Sequence, residues 1–99
     1  MGQYTARAEI MADLLILKQA QDASVEMTRL AERAKGKLSE KLQRFRIKHA
    51  VLYQMKTEEV WGKHKDEIPE KDHSWPSQLR EQHIQLGLLP ASWPSGGKP

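Results

Sequence analysis

The sequence contains no cysteine and no asparagine among its 99 residues, which limits its chemistry before any motif is considered. Without cysteine the chain has no disulfide, no thiolate metal ligand and no cysteine nucleophile. Without asparagine it has no acceptor for N-linked glycosylation. Only one Phe is present, so an apolar core must come mainly from Leu, Met, Ile and the three Trp. Such a short chain builds a thin core by itself, which favours a partner or a second copy.

Long apolar runs are also missing. The most apolar stretch, MADLLIL at residues 11–17, is short and contains Asp13. No segment approaches the ~20 apolar residues of a membrane span. Ala6 occupies the position where an N-myristoylation signal has Ser or Thr. We therefore expect an intracellular, cytoplasmic protein with no membrane partner.

The residue types that carry catalysis or bind metals are scattered. The four His have no partner at the i, i+3 or i, i+4 spacing of a helical metal site. No Ser lies in a nucleophile elbow, and there is no Gly-rich phosphate loop. The carboxylates of residues 58–72 are expected in a solvated linker, where nothing would raise a pKa. We predict a non-enzymatic protein with no metal, no cofactor and no small-molecule substrate.

Proline is absent from about residue 5 to residue 60, where only Gly36 interrupts good helix formers. This predicts an all-α fold in which residues 1–62 form a helical hairpin. Asp22 or Ser24 is a candidate cap for a second helix that begins near Val25. A single helix of about 55 residues is the alternative.

The C-terminal third has the composition of short elements. Residues 63–75 are predicted to be a charged linker. A short helix is predicted over residues 76–87, with Pro76 in its first turn and Gly87 as its stop. Residues 88–99 have the Pro, Gly and Ser content of a disordered or extended tail. The tetrapeptide SWPS occurs twice, at residues 74–77 and 92–95.

Positive charge is concentrated in residues 29–48, which hold eight Lys or Arg and two Glu. At ~100° per residue, five of these cations fall within an arc of roughly 80° on one helix and form a stripe. The members of the basic stripe are Arg33, Lys37, Lys41, Arg44 and Lys48. Like charges at i, i+4 cost a few tenths of a kcal/mol per pair, so a purely solubilising face would normally mix signs. The stripe therefore indicates a polyanion partner, and a solubilising coiled-coil flank is the alternative.

Double-stranded RNA is the polyanion that fits best. The stripe has no interleaved aromatics for stacking single strands, and no element of the usual base readers. Duplex RNA is recognised largely by shape, through phosphates and 2′-hydroxyls. An acidic protein surface is a further possible partner of the same stripe.

An apolar arc adjoins the stripe, and the first helix is apolar almost all round. These faces predict a hairpin that forms a homodimeric four-helix bundle. Trp61 is expected as a core lid or interface plug, Trp75 either caps the core or docks a partner, and Trp93 is a candidate anchor. The predicted interface residues are Leu14, Leu17, Leu38, Leu42, Phe45, Leu52, Trp61, Trp75 and Trp93.

In layout the chain resembles the small RNA-silencing suppressors of nodaviruses. The segments that carry the resemblance are KLSEKLQRFRIKHAVL as the RNA-facing helix, QLREQHIQLGLLP as a third helix and ASWPSGGKP as the tail. The resemblance implies an antiparallel four-helix-bundle dimer that lies along duplex RNA. It also implies that Lys37, Lys41, Arg44 and Lys48 contact phosphate or sugar.

A different class of protein also matches these features. Long Lys, Gln and Glu-rich helices followed by Trp-Pro segments look like small structural subunits that line ciliary microtubules or fill gaps in ribosomal particles. In that interpretation the basic stripe meets an acidic lattice or ribosomal RNA, and the two SWPS segments become ordered only in the assembly.

Overall fold

Two long helices form an antiparallel hairpin, which confirms the all-α prediction. The computed structural model describes the backbone of residues 2–93 and the side chains of residues 7–93. Helix α1 spans Gly2–Arg33, α2 spans Lys37–Lys63, a 3₁₀ helix spans Glu70–Asp72 and α3 spans Trp75–Gln85. The molecule measures 54 × 25 × 25 Å. No helix in the described part of the chain offers an apolar stretch long enough to cross a bilayer.

The chain turns at Gly36, so the prediction that the second helix begins near Val25 was wrong. Gly36 has φ 63° and ψ −137°, a conformation that a residue with a Cβ rarely adopts. Asp22 and Ser24 instead lie inside α1. Asp22 pairs with Lys18 one turn earlier at 3.7 Å, and the Ser24 carbonyl accepts a hydrogen bond from the Thr28 hydroxyl at 3.0 Å. The alternative of one uninterrupted helix is likewise excluded.

The core lies at the open end of the hairpin, where α3 crosses α2. Leu17 of α1 packs with Tyr53 and Val60 of α2 and with Leu79 of α3. Ala20, Trp61 and Trp75 cover the edges of this cluster. The α3 helix ends in a Schellman motif at Gly87, whose φ is 73°.

A buried polar network joins α2 to α3. The fully buried Gln54 amide donates to the Pro76 carbonyl and to Glu58 Oε2, each at 2.9 Å, and its oxygen accepts from His83 Nδ1 at 3.2 Å. Every polar atom of the Gln54 side chain is therefore satisfied, as burial requires. Burial lowers the pKa of His83, and the nearby His49 lowers it further, which favours a neutral ring.

The predicted linker connects α2 to α3 and is mostly exposed but contributes two buried side chains, while the described part of the predicted tail packs on the helices instead of being disordered or extended. Ile68 and His64 are buried in the connection between α2 and α3. After α3, Leu88 and Leu89 are buried, and the buried Trp93 donates its indole N–H to Glu58 Oε2 at 2.9 Å. Residues 94–99, which complete the predicted tail and the second SWPS copy, lie outside the described residues.

The turn makes a direct prediction about stability. We expect Gly36→Ala to lower the free energy of unfolding by about 1–2 kcal/mol, because the added Cβ is strained at this positive φ. Gly62→Ala is the matched control. Gly62 lies within α2, and a Cβ added there would meet only open space, so the same change should raise stability by about 0.5–1 kcal/mol. Urea denaturation of both variants measures the difference, and shifts of equal sign would contradict the assigned turn.

Candidate nucleic-acid interface

Four members of the predicted stripe lie on α2 and are exposed: Lys37, Lys41, Arg44 and Lys48. At ~100° per residue, the centre of their arc is roughly 180° from the centre of the buried arc of α2. That buried arc consists of Ala50, Tyr53, Gln54, Thr57 and Val60. The four cations span ~17 Å along the helix axis. The packing of α2 therefore directs this α2 basic row into solvent.

The fold does not use the charges of the α2 basic row. Within the described residues, none of the four cations takes part in a salt bridge, although several cations elsewhere do. The paired cations are Lys18, Arg29, Lys56, Lys63 and Arg80. Glu40 and Arg44, although spaced for an ion pair on one helix face, do not form one either. The row is therefore a surface of like charge that is available to an external anion.

Arg33 does not continue the row on the same helix, which corrects the predicted five-residue stripe. It is the last residue of α1 and lies on the other side of the Gly36 turn. Arg33 and Lys35 lie at the tip of the hairpin, and Lys35 is exposed there. They add positive charge near Lys37, but their positions are set by the turn and not by the period of α2.

The predicted interface residues divide into three groups by their exposure. Leu17 and Trp93 are buried within the chain itself, while Leu42, Trp61 and Trp75 are half-buried. Leu38, Phe45 and Leu52 are 65%, 61% and 58% exposed, and Leu14 is 37% exposed. The prediction that these four residues are packed therefore concerns a partner, because the single chain leaves them open.

An ionic cluster at the open end of the hairpin was not foreseen. His64 Nε2 donates to Asp13 Oδ2 at 2.9 Å, a contact between residues 51 positions apart. Lys56 lies 3.4 Å from Asp13 Oδ1, and Lys63 contacts both Glu9 and Asp13. The hydrogen bond from His64 lowers the pKa of Asp13 most; burial opposes this shift and Lys56 reinforces it. The sequence contains one indication of this cluster: Asp13 is a charged residue within the otherwise apolar stretch MADLLIL.

The same cluster offers metal-ligand atoms, but its own cations compete for them. Glu9, Asp13 and His64 each provide one ligand atom, all within 4.8 Å of one another. The ammonium groups of Lys56 and Lys63 already contact these carboxylates. A divalent ion would have to displace both, so the arrangement is better suited to holding α1 against α2. The buried bond between Asp13 and His64 joins α1 to the C-terminal end of α2.

In comparisons with known proteins, no family model, no curated protein and no solved structure matches the chain.

The cluster predicts a pH-dependent contribution to stability. We expect Asp13→Asn to lower the free energy of unfolding by about 1–2 kcal/mol at pH 7, because charge-assisted hydrogen bonds become neutral ones. The pKa of Asp13 is lowered from 3.8 in the folded state. Its contribution is therefore complete above that value and is lost as pH falls through the folded pKa. The free energies of unfolding of the wild type and of Asp13→Asn should therefore begin to converge only below pH 3.8 and become equal below the lowered pKa of folded Asp13.

Asp22→Asn is the control for this experiment. Asp22 is an exposed carboxylate of the same helix that forms an exposed ion pair with Lys18, so its removal should cost less than about 0.5 kcal/mol. Equal losses in the two variants, or a gap for Asp13→Asn that stays constant on acidification, would contradict the role assigned to the cluster.

Proposed function

We propose that the chain binds double-stranded RNA without catalysing a reaction, through the α2 basic row. One observation carries the proposal: four exposed cations, which form no salt bridge with any described residue, line the side of α2 that faces away from α1. A polyanion would replace water and counterions around these side chains, and counterion release is the main source of such binding. Contacts of this kind are made to phosphates and are independent of base sequence.

The shape of the row favours a duplex over a single strand. The cations follow one side of a straight helix, so they match a regular array of phosphates better than a flexible strand. Among the α2 basic row there is no aromatic side chain on which bases would stack. Phosphate and 2′-hydroxyl contacts along an A-form duplex require only charge and shape. Binding of this type would shield duplex RNA from processing enzymes, as the resemblance to suppressors of RNA silencing implies.

A homodimer would double this surface. Leu38, Phe45 and Leu52 recur every seven residues on α2, and Ile16 and Leu30 are 47% and 48% exposed on α1. At ~100° per residue, the first three lie on one side of α2 and form a seam beside the row of cations. Packing this seam against its copy gives a four-helix bundle with two-fold symmetry. The two basic rows then remain exposed on the dimer.

A structural subunit of a larger assembly is the second candidate. Met11, Leu15, Val25 and Leu86 are also at least half exposed, and none of them belongs to the seam. A two-fold dimer through the seam would leave these side chains in water. Met11 and Leu15 are one turn apart on α1, and contiguous exposed apolar surface marks protein interaction sites, so these two residues favour an additional protein neighbour. The cations would then contact an acidic lattice or ribosomal RNA.

Charge reversal tests the RNA-binding surface. We expect Lys41→Glu with Arg44→Glu to weaken duplex-RNA binding roughly 10- to 100-fold, because two phosphate contacts become repulsive. Circular dichroism should show unchanged helicity, since both residues are exposed. Lys65→Glu with Lys71→Glu changes the net charge equally at exposed positions of the connection to α3. Fluorescence anisotropy with a labelled duplex measures all three proteins. Unchanged affinity, or equal losses of affinity in both double variants, would show that the α2 basic row is not the surface that binds duplex RNA.

The seam makes a separate prediction about mass. We expect sedimentation equilibrium to give about twice the 11.4 kDa of one chain, and Phe45→Glu to give a helical monomer. Introducing a charge into a packed seam leaves that charge desolvated and unpaired. Met11→Glu is the control, because Met11 is 66% exposed on another side of α1. A monomeric wild type, or a Phe45→Glu variant that remains dimeric, would contradict the proposal that the seam is the dimer interface.

A further inference from the structure

An apolar groove lies at the open end of the hairpin, between α1, the C-terminal part of α2 and the connection to α3. Its volume is about 340 Å³, which is the size of a pocket for one or two side chains. Its apolar lining is formed by Ile10, Leu14, Trp61, Ile68 and Trp75. The buried Ile68 forms the base, and Leu14 is open to solvent. The groove therefore presents two indole rings and aliphatic side chains at the surface.

Hydrogen bonds hold the walls of the groove in place. The Trp61 indole N–H donates to the Asp72 carbonyl at 2.8 Å, so the polar edge of this ring is satisfied within the chain. The Ile68 N–H donates to the His64 carbonyl at 3.1 Å, and His73 Nε2 donates to the Ile68 carbonyl at 2.9 Å. The groove is thus formed before any ligand arrives, which reduces the entropy lost on binding.

Two carboxylates give the groove a charge preference. Glu67 and Asp72 both line it. The Asp72 carboxylate has no salt-bridge partner within the described residues, and Glu67 contacts only His64, at 3.3 Å. A cation placed here would meet carboxylate oxygens beside aromatic side chains, an environment that suits Lys or Arg. Phosphate would be repelled, so this groove does not fit the RNA proposed for the α2 basic row.

We propose that the groove binds a short segment of a protein partner in which a bulky apolar side chain adjoins a Lys or Arg. The apolar side chain enters between Trp61 and Trp75, and the cation pairs with Asp72 and Glu67. This partner is favoured because its positive charge complements the two carboxylates that line the groove. Trp61 is ~160° around α2 from Phe45 at 100° per residue, so the groove faces away from the seam. It stays accessible in the dimer and is independent of RNA binding.

Selection from random peptides displayed on phage tests this assignment on the full chain. The expected consensus is a Leu, Ile, Met or aromatic residue next to Lys or Arg. A synthetic peptide of that consensus should shift the indole N–H resonances of Trp61 and Trp75 in NMR spectra and leave that of Trp93 in place. Its charge-reversed copy, with Glu at the basic position, should produce no shift.

Substitutions that each remove one carboxylate charge test whether the cation of the peptide pairs with the groove. Asp72→Asn retains the backbone carbonyl that holds Trp61, and it should weaken the selected peptide about two- to fivefold, the range of one exposed ion pair. Glu70→Gln, on the same 3₁₀ helix but outside the groove lining, should leave affinity unchanged. The proposal is overturned by no enrichment, by a consensus without a basic residue, or by equal affinity in both variants. It is also overturned if Asp72→Asn lowers the mass of the oligomer, which would identify a second copy as the occupant.

Discussion

The antiparallel contact between α1 and α2 determines where every other feature of this chain lies. Leu17 packs against Tyr53 and Val60, and the bond between Asp13 and His64 ties the first third of the chain to the end of α2. This contact occupies one face of α2 and leaves the opposite face in water. The α2 basic row, the exposed seam and the groove are all consequences of which faces the hairpin uses.

The helical class and the outward position of the cations could be predicted from the sequence. A stretch without proline and a 100° step between residues are sufficient for both. The position of the turn could not be predicted in the same way. Asp22 and Ser24 have good capping side chains, yet both lie inside α1, where Asp22 pairs with Lys18 and the Ser24 carbonyl accepts a hydrogen bond from Thr28. The chain turns at Gly36 because glycine adopts the required backbone conformation without a steric penalty.

The buried face of α2 was harder to predict because it is partly polar. From hydrophobicity alone, Leu38, Phe45 and Leu52 would be predicted to be buried. They are exposed, and the chain buries Gln54 and Thr57 instead. Such burial is favourable only when other groups satisfy the polar atoms, and for Gln54 these are the distant Pro76 and His83. The same reasoning applies to His64 and Trp93, whose partners Asp13 and Glu58 are 51 and 35 residues away. Local composition contains no information about these pairs.

The structure thus separates three surfaces with different chemistry: unpaired cations, an apolar seam and an acidic, Trp-lined groove. If the cations bind duplex phosphates, the affinity of the wild-type chain for duplex RNA must fall with salt, and a salt series measures this. Four or more phosphate contacts predict a log–log slope of about −3.5 or steeper, with weaker binding to single-stranded RNA. No binding to duplex RNA at low salt would contradict the account.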